Sequence, residues 1–202
     1  MNAQIKDAQV IGMPSSTNHS VAGMTANDVM MSDEAMGRLM NLANVMANSN
    51  VTVPKHLQKN QGDCFAVILQ AAQWGMNPFA VAQKTHLVNG TLGYEAQLIN
   101  AVIITRAPVK GRLEFDWYGD WTKVNGKEDK SSDRGVKVWA TLKGEDEPRV
   151  LDISMAQVGP VRNSPMWVAD PRQQLAYLAI KRWSRLYCPD VILGVYTPDE
   201  FD

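Results

Sequence analysis

The stretch Asp170-Pro171-Arg172-Gln173-Gln174-Leu175-Ala176-Tyr177-Leu178-Ala179-Ile180-Lys181-Arg182-Trp183-Ser184-Arg185-Leu186-Tyr187-Cys188-Pro189 reads as one long helix carrying its own start and stop signals. Asp170 suits a capping position and Pro171 the first helical position, where no backbone donor is needed, while Pro189 forbids continuation. On a helical projection Leu175, Ala176, Ala179, Ile180, Trp183, Leu186 and Tyr187 share one broad apolar face. Gln174, Tyr177, Lys181 and Arg185 share the opposite one, and Arg182 sits at the border. The apolar face anchors the helix to a core. The other face presents cations on successive turns beside an aromatic hydroxyl.

Upstream, the Arg162-Asn163-Ser164-Pro165 turn supplies a cation and small hydrogen-bond donors, and Trp167 an indole suited to the core or to covering a sugar or base. Between Lys110 and Ser154 the period is two: Leu113, Phe115 and Trp117 alternate with Glu114 and Asp116, and Val136, Val138 and Ala140 with Lys137 and Trp139. Val150, Asp152 and Ser154 alternate with Leu151, Ile153 and Met155. This predicts a meander of two or three antiparallel strands. The insert Lys123 to Arg134 is nearly all charged or small and predicts a mobile loop. Thr85 to Val88 and Thr91 to Tyr94 flank Asn89-Gly90, a pair that favours the positive φ of a tight hairpin.

Helices are predicted from about Glu95 to Arg106, ending before Pro108, and from about Asp63 to Trp74, with Phe65, Ile68, Leu69 and Ala72 on one face. Ser32 suits the cap of a further helix, with Met36, Leu39, Met40, Ala43 and Met46 at helical spacing. Residues 1–31, rich in Asn, Ser, Thr, Gly and Met without periodicity, predict a flexible N-terminal arm. The expectation is an α+β fold in which an antiparallel hairpin and meander pack with several helices, as one core domain over 32–202 after the arm.

The chain has 202 residues, 45% of them hydrophobic and 20% charged, which excludes disorder throughout. Its longest apolar runs fall far below the roughly 18 residues a membrane span needs. The start lacks the basic-then-apolar pattern of a secretion signal, and Cys64 and Cys188 set no disulfide framework, so the cytoplasm is the expected compartment. The formal net charge of −1 hides a gradient. From Gln157 to Pro189 the chain carries Arg162, Arg172, Lys181, Arg182 and Arg185 against Asp170 alone, whereas Asp190, Asp199, Glu200 and Asp202 follow with no base. A local field of one sign steers a polyanion even when the total is near zero.

Lys181, Arg182 and Arg185 have the spacing to meet successive phosphates of a nucleic-acid backbone, with counterion release favouring each contact. The same spacing also describes a solvated helix face. Of the six tryptophans, Trp74, Trp183, Trp117 and Trp139 suit a core, and Trp121 is the freest. The phosphate-cradling G-x-x-x-x-G-K-[ST] loop is absent: before Gly126-Lys127 stands Trp121 in place of the earlier glycine, and after it Glu128 in place of the hydroxyl. Nucleotide hydrolysis is therefore not expected to power this protein. Glu114, Asp116 and Asp120 are the only acids that suggest a two-metal nuclease, and alternation puts the first two on a solvent face. His19, His56 and His86 show no zinc spacing, and no serine or cysteine lies in a nucleophile motif. The expectation is a binding protein without catalytic residues, metal or cofactor.

Four blocks of sequence together resemble the RecT/Bet family of phage single-strand annealing proteins, over roughly Asp63 to Phe201. They are Ala71-Ala72-Gln73-Trp74-Gly75-Met76-Asn77-Pro78-Phe79; His86-Leu87-Val88-Asn89-Gly90-Thr91-Leu92-Gly93-Tyr94; Asn163-Ser164-Pro165-Met166-Trp167-Val168-Ala169-Asp170-Pro171; and the basic helix with Tyr187-Cys188-Pro189-Asp190 and Tyr196-Thr197-Pro198-Asp199-Glu200. The resemblance implies a mixed α/β core assembling into rings or helical filaments, with DNA in a continuous basic groove across subunits. It also implies ATP-independent annealing of complementary strands beside a phage 5′-to-3′ exonuclease, with host single-strand-binding protein as a further partner. The family's DNA-contacting helix falls on Lys181, Arg182 and Arg185, its groove-lining turn on Arg162, Asn163 and Ser164, and its Gly-Tyr pair on Gly93 and Tyr94. Relatives continue into a C-terminal module for partner proteins where this sequence ends at Asp202, and Glu95 stands where the family often has lysine.

Annealing requires that phosphates and sugars be gripped while base edges face outward, so pairing reads the sequence and side chains do not. Arg172, Gln174 and Tyr177 join the expected DNA-binding set on this basis. One subunit supplies few phosphate contacts, so affinity grows by multivalency along an oligomer. The Met-rich helix, through Met36, Leu39 and Met40, and the arm are the expected subunit joint. The expected ligands are single-stranded DNA and the annealed duplex. The alternatives are a coating protein that slows pairing and, less favoured, a metal-dependent nuclease.

Overall fold

Most helices begin at a side chain that satisfies their first free backbone donors. The computed structural model describes residues 32–160, 162–197 and 200, so the arm expected over 1–31 lies outside the described residues. In α1 (Asp33–Ala47) the Ser32 hydroxyl accepts from the Ala35 amide, and in α2 (Gln61–Trp74) the Asn60 side chain accepts from Asp63. Gly75 closes α2 in the left-handed region at φ 60°, and Asn77 caps the short α3 (Pro78–Ala82). Strands β1 (Thr85–Val88) and β2 (Thr91–Tyr94) pair antiparallel around Asn89 and Gly90, whose φ values of 50° and 79° fit the turn expected there. Next comes α4 (Ala96–Arg106). The meander follows as β3 (Glu114–Tyr118), β4 (Gly135–Ala140) and β5 (Arg149–Ser154), antiparallel in that order. A 3₁₀ turn, Met155–Gln157, leads to the one-turn α5 (Met166–Ala169), then α6 (Pro171–Tyr187) and a second 3₁₀ turn, Pro189–Ile192.

The protein is thus α+β, with two small antiparallel sheets and several helices. Directly paired residues share a face, so Phe115, Val138 and Leu151, and Trp117, Val136 and Ile153, face the core. α6 lies against β4 and β5 and also against α4 and the second 3₁₀ turn. Its Trp183 indole donates to the Arg149 carbonyl at 2.7 Å and its Tyr187 hydroxyl to the Val150 carbonyl at 3.0 Å, tying the helix to β5. Trp183, Met46, Leu57 and Ile103 are fully buried, each contributing about 1.5–3 kcal/mol relative to exposure. Both cysteines are free and buried. Among the described residues no helix is long and apolar enough to cross a membrane.

Several side chains fall elsewhere than the sequence pattern suggests. In α2 the buried set is Cys64, Val67, Ile68, Ala71 and Trp74, so the stripe is rotated by about one residue and Ala72 is exposed. In α6 Lys181 and Ser184 are buried while Leu186 is 60% exposed, because the helix is covered from more than one direction. Trp139 lies on the outward face beside Val150. Trp121 is not free: it meets Trp117 edge-on at 5.3 Å, and its indole donates to the Tyr118 carbonyl. The insert before β4, expected as a mobile loop, is fastened down. The Gly126 amide donates to the Trp167 carbonyl at 2.9 Å, and Asp129 accepts from Ser131 and Arg134.

Candidate nucleic-acid interface

The corner between α5 and α6 is built by capping chemistry. The Ser164 hydroxyl accepts from the Met166 amide at 3.2 Å, opening α5, and Asp170 ends α5 and accepts from the Gln173 amide at 3.0 Å to open α6. This corner faces the base of the β1–β2 hairpin and the first turn of α4 across a cleft of about 510 Å³. Asn163 and Ser164 line it from the turn, Gln173, Gln174, Tyr177 and Lys181 from α6, and His86, Glu95 and Gln97 from the opposite wall. Neutral amides and hydroxyls make up most of its polar lining, beside the apolar side chains of Ile99, Met166, Trp167 and Leu178. Glu95, a carboxylate at the rim, lies 2.8 Å from Lys84 and 3.3 Å from His86.

The cleft therefore gathers Asn163, Ser164, Gln174, Tyr177 and Lys181 of the expected DNA-binding residues. The others are placed differently. Arg162 is only 6% exposed, and its guanidinium donates to the carbonyls of Gly159, Gly126, Asp129, Met155 and Val158. Burial pulls its pKa below the ordinary arginine value, and its position 5.6 Å from the Trp167 ring leaves it inside the fold. It fastens the insert and does not line the groove. Tyr94 is 6% exposed, packed edge-on to Trp74 at 5.3 Å, with its hydroxyl pushed up to about 12 by burial. It too belongs to the core.

Lys181 and Arg185 do not project into solvent as the helical projection suggests. Lys181 is 6% exposed, donates to the Thr197 hydroxyl at 2.7 Å and lies 3.6 Å from Glu200. Arg185 pairs with Glu200 at 2.6 Å and donates to the Val195 carbonyl at 3.0 Å. The cause is the chain after the second 3₁₀ turn, which returns over this side of α6 and buries Val195 and Thr197. Arg182, half-buried, donates to the Gln157 carbonyl at 3.1 and 3.2 Å. Arg172 is exposed, stacked 4.6 Å above the Trp117 ring, and no carboxylate among the described residues pairs with it. On α1, Leu39 packs against the core, Met36 is half-buried and Met40 is 41% exposed.

Sequence reasoning missed His86, Glu95, Gln97, Gln173, Thr197 and Glu200. For the last two a signal was present. Thr197 and Glu200 stand three apart, as in a capping box, and the Glu200 carboxylate accepts from the Thr197 amide at 2.8 Å. The acids suggested as a nuclease site do not converge. Asp116 stands opposite Lys137, Asp120 accepts from Thr122, and no group of three or more His, Cys, Asp or Glu among the described residues is placed to hold a metal ion.

No curated protein matches the chain. The model of the RecT family matches residues 43–202, from within α1 through the cleft to the last residue. The chain belongs to the RecT family, and with that membership goes single-strand annealing in DNA recombination.

Proposed function

We propose that the protein anneals complementary DNA strands without nucleotide hydrolysis and holds a strand in the cleft between the hairpin base, α5 and α6. The observation that carries this reading is the convergence of Asn163, Ser164, Gln174, Tyr177 and Lys181 on one cleft in a chain of this family. Amide and hydroxyl donors suit phosphate and sugar oxygens and carry no sequence information, so bases held this way keep their pairing edges free. Lys181, now beside Glu200, stands at the wall, and Arg172, which no carboxylate among the described residues pairs, lies two residues before Gln174 and extends the path along α6.

With so few cations at the cleft, tight binding requires many copies along one strand. We assign the subunit joint to the exposed part of α1 around Met40 together with the arm, in a ring or helical filament. A phage exonuclease that exposes the strand and a host single-strand-binding protein are the partners such a function calls for, and both fit the cytoplasm. The test is timed pairing of two labelled complementary oligonucleotides with no nucleoside triphosphate. Faster pairing is the expected result. Slower pairing identifies a coating protein, and strand degradation in magnesium a nuclease.

A further inference from the structure

The cations of α6 already hold an anion, and it belongs to the chain itself. The Glu200 carboxylate accepts from Arg185 Nη2 at 2.6 Å and from the Thr197 amide and hydroxyl at 2.8 and 2.9 Å, and lies 3.6 Å from Lys181 Nζ. Two cations, a backbone amide and a hydroxyl converging on carboxylate oxygens make a donor set that also suits a phosphodiester. Both anions carry one negative charge, so one replaces the other without leaving the site uncompensated. Lys181 and Thr197 line the cleft, which puts this place at its wall.

The hold on Glu200 is partial. It meets one nitrogen of the Arg185 fork, and among the described residues the buried Arg185 Nε has no hydrogen-bond partner, so the pair lacks the bidentate geometry of the strongest carboxylate contacts. The Arg185 and Glu200 side chains are 35% and 22% exposed, against 8% for Lys181. The carboxylate that meets both cations is thus reachable from solvent, while the ammonium beside it is buried.

We propose that Glu200 is an internal stand-in for one backbone phosphate, and that a strand entering the cleft takes its place at Lys181 and Arg185. This rests on the cleft being where the strand lies. In the free protein the carboxylate keeps the cations neutralised and shields them from stray anions. A strand bound at many subunits outcompetes it, whereas a short one does so poorly.

The test is oligonucleotide affinity of the full chain carrying Glu200→Gln, with thermal unfolding as the check on folding. About fivefold tighter binding than the parent is expected, the equivalent of one partly exposed ion pair no longer competing. Unchanged or weaker binding by a folded variant overturns the proposal. Should the variant fail to fold, hydrogen exchange of the Thr197 amide in the unaltered protein decides. It accelerates on adding oligonucleotide if the carboxylate leaves, and unchanged or slower exchange overturns the proposal. If parent and E200Q bind alike while Gln174→Ala/Tyr177→Ala weakens both, the cleft stands and the stand-in falls. If no form binds oligonucleotide, both fall.

Discussion

Arg162 serves five carbonyls from inside the fold, so its replacement by methionine strands those acceptors and cuts the insert loose from the α5–α6 corner. Arg162→Met is expected to cost about 3 kcal/mol in urea unfolding, at the upper end of ordinary single changes. Asp129 belongs to the same junction. Burial opposes its charge, but hydrogen bonds from Ser131 and from the Arg134 guanidinium outweigh that and hold its carboxyl below the ordinary 3.8. A carboxyl whose folded value is lowered stabilises fully above the unfolded value and loses that contribution as pH falls through the folded one. Asp129→Asn should therefore lose stability at pH 7, with the deficit shrinking as pH falls below 3.8, measured by denaturant unfolding across that range. Neither role was legible in the sequence. The acceptors of Arg162 include Gly126 and Asp129, more than thirty residues away, and a turn that reads locally as basic and exposed gives no hint of them.

At the level of elements, whatever depends on neighbours in the chain was legible. Ser32, the Asn89-Gly90 turn, Asp170 and Pro189 mark their boundaries as the structure has them, and the alternation in β3, β4 and β5 names the core face correctly. What depends on partners brought from afar was not. The insert reads as loop because its order comes from the Gly126 amide on Trp167 and from Arg162, and the polar face of α6 reads as solvated because nothing local announces that Val195, Thr197 and Glu200 meet it. A Cβ at Gly126 would lie 2.4 Å from the Trp167 carbonyl oxygen and 2.7 Å from Pro171 Cβ. Both neighbours are stiff. Gly126→Ala is expected to lift the insert from the corner, costing about 1–3 kcal/mol, and to open the Lys123 to Arg134 segment to limited proteolysis that the parent resists.

For the whole molecule, the net charge of −1 and the internal pairing of Lys181 and Arg185 mean that a single subunit attracts DNA weakly. Affinity is expected to climb steeply with oligonucleotide length, by about a hundredfold or more once a strand spans several subunits. Anisotropy titrations across a length series check this, and a flat series would remove oligomerisation from the mechanism.

Trp167 gives the protein an optical consequence. Its residue is 6% exposed, with the Arg162 guanidinium 5.6 Å from the ring, yet it lines the cleft. Fluorescence from that ring responds to whatever fills the space beside it, so the part of the emission that a Trp167→Phe variant lacks would follow occupancy in real time with no dye on either molecule.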